Sequence, residues 1–474
     1  MTDQNVLVVD WDGPDDPQNP KNWTRRLKWR ATIIVSLFTF ITPVSSSMLA
    51  PAAPHIAEDL GITTSVERAL VVSVFVLAFA FGPLLLGPLS ELYGRVRVIQ
   101  LSNLFFLAWN LGCGFAQTKE QMIVFRFFAG LGGSSPLSVG GGVLSDVWRA
   151  EERGAAIAIY SLMPLLGPVV APVTGAWVAE RTTWRWVFWA TSIFTCIVQV
   201  LGLFFLKETF EPVLLARKAK RLQRELNGSP SENAVERDPR SSMQHIMHAL
   251  VRPFALFVYE PIVQLLGVYM AFVYGIFYLY LTIIPSIFEG DTYHESVGIA
   301  GLHYIAFGLG VISLPSQINA RMLDRIYIYF KTRNEGKGEP EFRLPSMVPG
   351  TILLPAGLIV TGWAAQKAVH WIVVDIGLFL VGGGMILNFQ CIQTYVIDAF
   401  ALHAASGLAA VSFLRSLAGF GFPLFAPPMY DALGVGWGDT LLAFVAIGVG
   451  CPAPWIFWYY GKKIRSKSRY AHKT

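Results

Sequence analysis

Apolar positions along this chain come in long runs, not in alternation. Stretches of roughly 20 residues with almost no charge occupy 31–50, 69–89, 98–117, 155–179, 186–206, 262–288, 347–366, 371–397 and 440–460. A helix of that length crosses a hydrocarbon core of about 30 Å, whereas a half-buried strand would show a period of two. Three weaker segments complete the pattern: 121–145 interrupted by Arg126, 296–318 carrying His303, and the glycine-rich 404–430. The pattern predicts twelve membrane-spanning helices at roughly 30–50, 67–88, 97–116, 121–145, 154–179, 184–207, 257–288, 296–318, 345–366, 369–397, 404–430 and 437–460. The expected fold class is an all-α polytopic membrane protein.

The polar segments between the runs divide the chain. Residues 1–29 read as an N-terminal tail, 30–207 as a first six-helix bundle, 208–256 as a linker, 257–460 as a second six-helix bundle and 461–474 as a basic tail. The linker, with ARKAKRLQRELNGSPSENAVERDPRSS, is too polar to insert. Its start is expected to form an amphipathic helix, and 228–242 has the composition of a disordered segment. With the N-terminus in the cytosol, thirty of the 37 Lys and Arg residues fall in cytosolic segments. Five (Arg68, Lys119, Arg181, Arg185 and Lys367) fall outside, and Arg126 and Arg415 lie within spans. This positive-inside bias places both termini in the cytosol.

Composition agrees and adds exclusions. The chain is 53% hydrophobic and 15% charged, against about 25% charge in a soluble domain. The net charge of +5 is a loop property here and gives no reason to expect nucleic acid. Cys113, Cys196, Cys391 and Cys451 sit in apolar runs without metal or redox spacing, so they read as small buried hydrophobes. The first 30 residues are polar and suggest no cleavable signal peptide. A Gly-x-Ser-x-Gly elbow, a His-rich metal cluster and a nucleotide-binding loop are all missing. The expectation is therefore a non-enzyme with no cofactor and no metal, and twelve spans argue against a seven-helix receptor.

One segment breaks the local rules. LGPVVAPVTGAW (166–177), with Pro164 ahead of it, places prolines at 164, 168 and 172 in a long apolar run. Each removes a helix donor, so the carbonyls of Tyr160, Pro164 and Pro168 lose their usual partners. Gly167, Ala171 and Gly175 form a neighbouring stripe with little side chain. The helix is expected to be bent and thin on one side, where another helix can approach closely.

Short motifs carry a family resemblance. GPLSELYGRVR (87–97) resembles the loop signature of the major facilitator superfamily through Gly87, Leu89, Gly94 and Arg95, with Glu91 where Asp is commoner and Leu92 replacing an arginine. VFRFFAGLGG resembles its R-x-x-x-G-x-G signature through Arg126, Gly130 and Gly132. YSLMPLLGPVVAPVTGAW resembles the helix-five signature of the antiporter branch through Gly167, Pro168, Pro172 and Gly175; Ala171 and Ala176 replace glycines. DPQNPKNWTRRLKW and MLAPAAP narrow the likeness to fungal drug:proton antiporters with twelve spans. The resemblance runs from about residue 14 to 460. It implies two six-helix bundles around a midplane cavity, lined by spans 1, 4, 7 and 10 with help from 2, 5, 8 and 11.

From these readings follow the site expectations. Gly87, Glu91, Gly94 and Arg95 form a gating loop: the glycines allow a tight turn, and Glu91 and Arg95 pair across helix ends. Gly167, Pro168, Pro172 and Gly175 form a sliding seam, which the resemblance packs against the opposite half. An intramembrane arginine is costly unless paired or hydrated, so Arg126 faces the cavity or other polar groups; the resemblance links it to proton transfer. Glu91, His303 and Asp398 are the other proton-coupling candidates, His303 because imidazole titrates near neutral pH. No buried midplane carboxylate stands out in the sequence. Tyr274, Tyr278, Gln264, Asn388, Gln390 and Gln393 read as a large, weakly polar, aromatic pocket for a bulky, mainly apolar solute. Arg415 pairs with Asp398 or with a substrate oxygen. The expected function is proton-coupled export of amphipathic small molecules (drugs, toxins or a fungal secondary metabolite) by alternating access, the alternative being import of a nutrient or polyamine. The expected partners are the small-molecule substrate, protons and the lipid bilayer, with no nucleic acid. The chain is read as a monomer of the plasma membrane, with the vacuolar membrane as the alternative.

Overall fold

The computed structural model describes residues 10–149, 152, 154–225, 254–290, 292–312, 314–400 and 404–466. Every regular element among them is helical, and no strand occurs. Span 1 (Arg25–Asp59), span 2 (Ser65–Tyr93), span 4 (Lys119–Val147), span 5 (Gly154–Arg181) and span 6 (Arg185–Phe205) are long and apolar enough to cross a membrane. So are span 7 (Pro261–Phe288), span 9 (Pro340–Gln366) and span 10 (Trp371–Ala399). Span 3 is Arg95–Gly114. Span 8 starts as the apolar helix Val297–Ile312, and Leu314–Arg333 continues its direction.

The last apolar stretch, Gly407–Ser466, holds two spans. Gly434 breaks the helix with φ 75° and ψ 165°. Tyr430 then donates its hydroxyl to Asp439 at 2.5 Å. In a straight helix nine residues would separate them by about 13 Å, so the chain reverses and makes spans 11 and 12. Among the described residues a helix lies at each of the twelve expected spans, most of them longer than the apolar runs because their polar ends remain helical.

Polar signals set the ends. Thr64 caps span 2 by accepting from the Glu67 N–H, and Thr118 caps span 4 by accepting from the Gln121 N–H, as N-cap hydroxyls do. Span 1 changes course at Met48–Ala52, where a short 3-10 turn carries Pro51. Span 4 pauses at Ser134. The expected amphipathic helix at the start of the linker is Glu211–Glu225. The N-terminal tail is docked on it: Trp11 donates to Glu211 at 2.8 Å, and Lys218 meets Asp12 at 2.7 Å and Asp16 at 3.4 Å. The expected disordered stretch 228–242 lies outside the described residues.

Buried apolar residues separate into cores that follow the two halves. Two clusters draw on residues 31–206, around Phe38, Phe75 and Phe106 and around Leu49, Ile56 and Phe188. A third runs from Leu256 to Phe457 and takes only Val76 from the first half. Each half is a six-helix bundle with its own packed interior. The halves meet chiefly through span 2 against span 11 and span 5 against span 8.

Candidate functional site

Where the bundles face each other, spans 7, 10 and 11 bring aromatic rings and one arginine together near mid-membrane. Tyr274 and Tyr278, one turn apart, have ring centroids 5.2 Å apart, and Phe277 stacks on Tyr274 at 5.9 Å. The Arg415 guanidinium sits 4.9 Å over the Tyr274 ring and 5.3 Å over the Phe389 ring. Gly419, one turn further along span 11, lies against Tyr274, Tyr278 and Val76 of span 2. The Tyr278 hydroxyl reaches Ser46 of span 1 at 3.1 Å and so bridges the bundles. Gln393 shares the Phe389 face, four residues on.

Other polar expectations point elsewhere. The Gln264 amide donates to the Phe257 and Val258 carbonyls at 2.9 and 3.0 Å, at the basic end of span 7. Asn388 is fully buried, donates to the Gly384 carbonyl at 2.7 Å and lies against Gly350 of span 9, away from Arg415. At Gln390 the main-chain carbonyl, separate from the side-chain amide, accepts from the Thr394 hydroxyl. Asp398 pairs with Arg343 at 3.0 Å, not with Arg415. The residue order made the second pairing plausible, but Arg343, in the first turns of span 9, ends up closer.

Arg126 is wholly buried and does not reach toward the interface. Its guanidinium donates to the Ser45 carbonyl at 2.9 Å and to the Val71 and Val72 carbonyls at 3.4 Å, and lies 4.4 Å over the Phe75 ring. Ser45 is in the last turn of the helix Arg25–Ser47, where carbonyls lack in-helix partners and carry the negative end of the helix dipole. The cation is thus solvated by backbone of spans 1 and 2 instead of by a carboxylate.

The seam between the halves differs from its expectation. Gly167 faces Pro43 and Val44, and Gly175 faces the Met48 backbone, all in span 1. The glycine stripe therefore packs inside its own bundle, where the kinked outer part of span 1 needs room. The side of span 5 that meets span 8 carries Val169, Pro172 and Ala176. The small residues there belong to span 8: Gly301 against Ala176, and Gly308 against Val169. At the end of the seam, Glu180 accepts from the Gly298 N–H and, at 3.4 Å, from the Ser296 hydroxyl. A carboxylate of one bundle thus caps a helix of the other. The Ser46–Tyr278 and Glu180–Gly298 contacts between the bundles lie toward the ends of their spans away from the basic loops, so the bundles touch there. A cavity of about 310 Å³ remains in that closed region, lined from both bundles by residues including Arg68, Thr282, Tyr430 and Asp431.

The loop between spans 2 and 3 turns on one glycine. Gly94 has φ 101°, and a Cβ there would strike the Glu208 carboxylate. Gly87 lies inside span 2 with open space around it, so it does not make the turn. Arg95 pairs with Asp146 at 3.4 Å, donates to Ser90 at 2.9 Å and lies over Phe210 at 4.7 Å. Glu91 does not join this set: it is exposed, because it falls on the solvent side of the last turn of span 2.

Two titratable clusters sit toward the closed face. His303 is buried between carboxylates, with Nδ1 2.7 Å from Asp375 and Nε2 2.9 Å from Glu295, and its ring stacks on Phe288 at 3.5 Å. Asp439 is 1% exposed and accepts from Tyr280 at 2.9 Å and Tyr430 at 2.5 Å, with no cation beside it among the described residues. The sequence places Asp439 at the third residue of the expected span 437–460, a helix end where an acid ordinarily meets water, so it did not stand out as a buried carboxylate. The reversal at Gly434 is what buries it.

The profile of the Major Facilitator Superfamily matches residues 35–423. The chain is 48% identical over 469 residues to "Efflux pump vrtL" of Penicillium aethiopicum, covering 99% of this chain and 92% of that protein. It is 44% identical to "MFS transporter cpaT" of Aspergillus oryzae (98% and 92% covered) and 39% identical to "Efflux pump radE" of Floropilus chiversii (98% and 86%). Among solved structures, the partially occluded inward-open xylose transporter XylE from E. coli superposes with a TM-score of 0.68 at 14% identity, covering 92% of this chain and 98% of that one.

Proposed function

The chain belongs to the major facilitator superfamily, and from that membership we propose that it is a proton-coupled exporter of amphipathic small molecules, such as a fungal secondary metabolite. It is a membrane transporter and not an enzyme. The observation that carries the export reading is the likeness, over nearly the whole chain, to proteins named efflux pumps. The site supports it. A cluster of aromatic rings where two separately packed bundles face each other suits a bulky apolar load, and a seam of small residues would let the bundles rock around it.

In this reading the load enters from the cytosol, where the basic loops lie, and the seam at Gly301 and Gly308 opens to release it on the other side. Tyr274, Tyr278, Gln393 and Arg415 contact the load. Arg126 holds spans 1, 2 and 4 in register beside Tyr278. His303, between two carboxylates, is the group best placed to take up and release a proton during the cycle. The chain acts as a monomer in the plasma membrane.

The test uses inside-out membrane vesicles from cells expressing the chain and a fluorescent amphipathic dye. Export by proton antiport predicts dye uptake into vesicles with an acidic lumen, and loss of that uptake on adding a protonophore. Uptake into right-side-out vesicles instead, driven by an inward proton gradient, would establish an importer.

A further inference from the structure

Arg126 and Arg415 are the arginines that interrupt the apolar segments, and they are used differently. Arg126 spends its N–H groups on three carbonyls. Arg415 has no ion pair among the described residues, and its buried Nε has no hydrogen-bond partner. The acids that might have neutralised it are engaged elsewhere: Asp398 by Arg343, Asp375 by His303 and Asp439 by two tyrosines. Arg415 rests instead over the rings of Tyr274 and Phe389. Rings hold the face of a guanidinium and leave its edge, which carries all five N–H donors, for an acceptor in the plane.

We propose that the transported molecule is an organic anion with an aromatic or apolar body, and that Arg415 binds its carboxylate or equivalent oxyanion while Tyr274 and Phe389 flank the ring. This rests on the export reading and names the class of load. The reason is energetic. While the cavity is open to the cytosol, water hydrates the unpaired cation. When the bundles close around the site that water leaves, and a charge in a low-dielectric enclosure is costly unless a counter-charge comes with it. An anionic load supplies the counter-charge, so occlusion is favourable when the cavity is loaded and unfavourable when it is empty. A planar oxyanion also matches the fork of a guanidinium better than an ammonium would.

The experiment is a binding titration on the purified chain in detergent, with three probes of one shape: anthracene-9-carboxylate, anthracene-9-carboxamide and 9-anthracenylmethylammonium. The expected order is carboxylate over amide by roughly tenfold or more, as for a charge-assisted bond, with the ammonium weakest. Arg415→Gln removes the preference, and Arg415→Lys keeps part of it. Equal binding of amide and carboxylate, a preference for the ammonium, binding of no probe, or a carboxylate preference that survives Arg415→Gln overturns the proposal. The comparison on the unaltered chain stands even if the variants do not fold. Binding is read without transport, so an importer that selects the carboxylate would sink the export reading and leave this one standing.

Discussion

The contact between spans 5 and 8 gives the sharpest test of how the two halves move. A methyl group at Gly301 would fall on the Ala176 Cβ, with the Pro172 carbonyl 3.7 Å away. At Gly308 it would fall on the Val169 side chain. Ala176 has no rotamer with which to move aside, so Gly301→Ala must push the helices apart. Overpacking of this kind costs about 1–3 kcal/mol. The cost falls on the state in which the seam is closed and is relieved when it opens. A difference of that size shifts a two-state balance by roughly 5- to 150-fold. The assay is the labelling rate of a cysteine placed at Thr282, which lines the cavity in the closed region, by a membrane-impermeant maleimide applied from outside. Gly301→Ala and Gly308→Ala should each raise that rate severalfold and slow dye export, with little change in melting temperature. Adding Val169→Ala to Gly308→Ala should return both towards normal, because it empties the space that the new methyl needs. If accessibility is unchanged in both glycine variants, or if Val169→Ala rescues nothing, the seam is not where the halves separate.

Gly167→Leu should behave differently: its side chain meets Pro43 and the Val44 backbone within the same bundle, so the protein should lose folded yield and melt lower, without a selective gain in outside labelling. Arg126→Lys should lower the melting temperature by several degrees, because one ammonium cannot serve carbonyls on two helices and each charge-assisted bond lost costs about 1.5–3 kcal/mol; an unchanged melting curve would contradict this. Tyr430→Phe removes one of two donors from the buried Asp439 and should destabilise the span 11–span 12 hairpin by about 1–3 kcal/mol, read by thermal unfolding. Glu289, just past span 7, is pushed up to about 7 by burial and by the nearby Glu180 carboxylate. Its proton therefore favours the closed face most fully below the ordinary value of 4.5, and that contribution is lost as pH rises through about 7. The ratio of labelling at Thr282→Cys in the otherwise unaltered chain to that with Glu289→Gln added, which cancels the rise in thiolate, should accordingly increase from pH 5 to pH 8.

Much of the architecture was legible in the residue pattern. Uncharged runs of 20 residues specify helices that must satisfy their backbone internally in a membrane, and the Lys and Arg bias gave them a sidedness. The signature around Arg126 was readable too, and the structure adds only how the cation is solvated. Side-chain partners across helices were much less legible. Gln264 and Asn388 looked like pocket residues by type, yet the first serves the backbone near its own helix end and the second faces span 9. Asp439 was overlooked because it sits near the start of the expected span 437–460, and nothing local distinguishes a buried acid from one at a hydrated helix end.

The sequence by itself determined that this chain is a bundle of membrane helices, where the apolar middle of each lies, and which superfamily it joins, because those properties depend on residues close together along the chain. Only the tertiary structure decided that the glycines of span 5 pack inside their own bundle while Gly301 and Gly308 of span 8 lie against span 5 of the other bundle. It alone decided that Arg126 is sated by carbonyls while Arg415 is left over aromatic rings with its Nε unpartnered among the described residues. Both outcomes depend on how helices are rotated about their axes, and that rotation is fixed by side-chain fit between segments far apart in the chain.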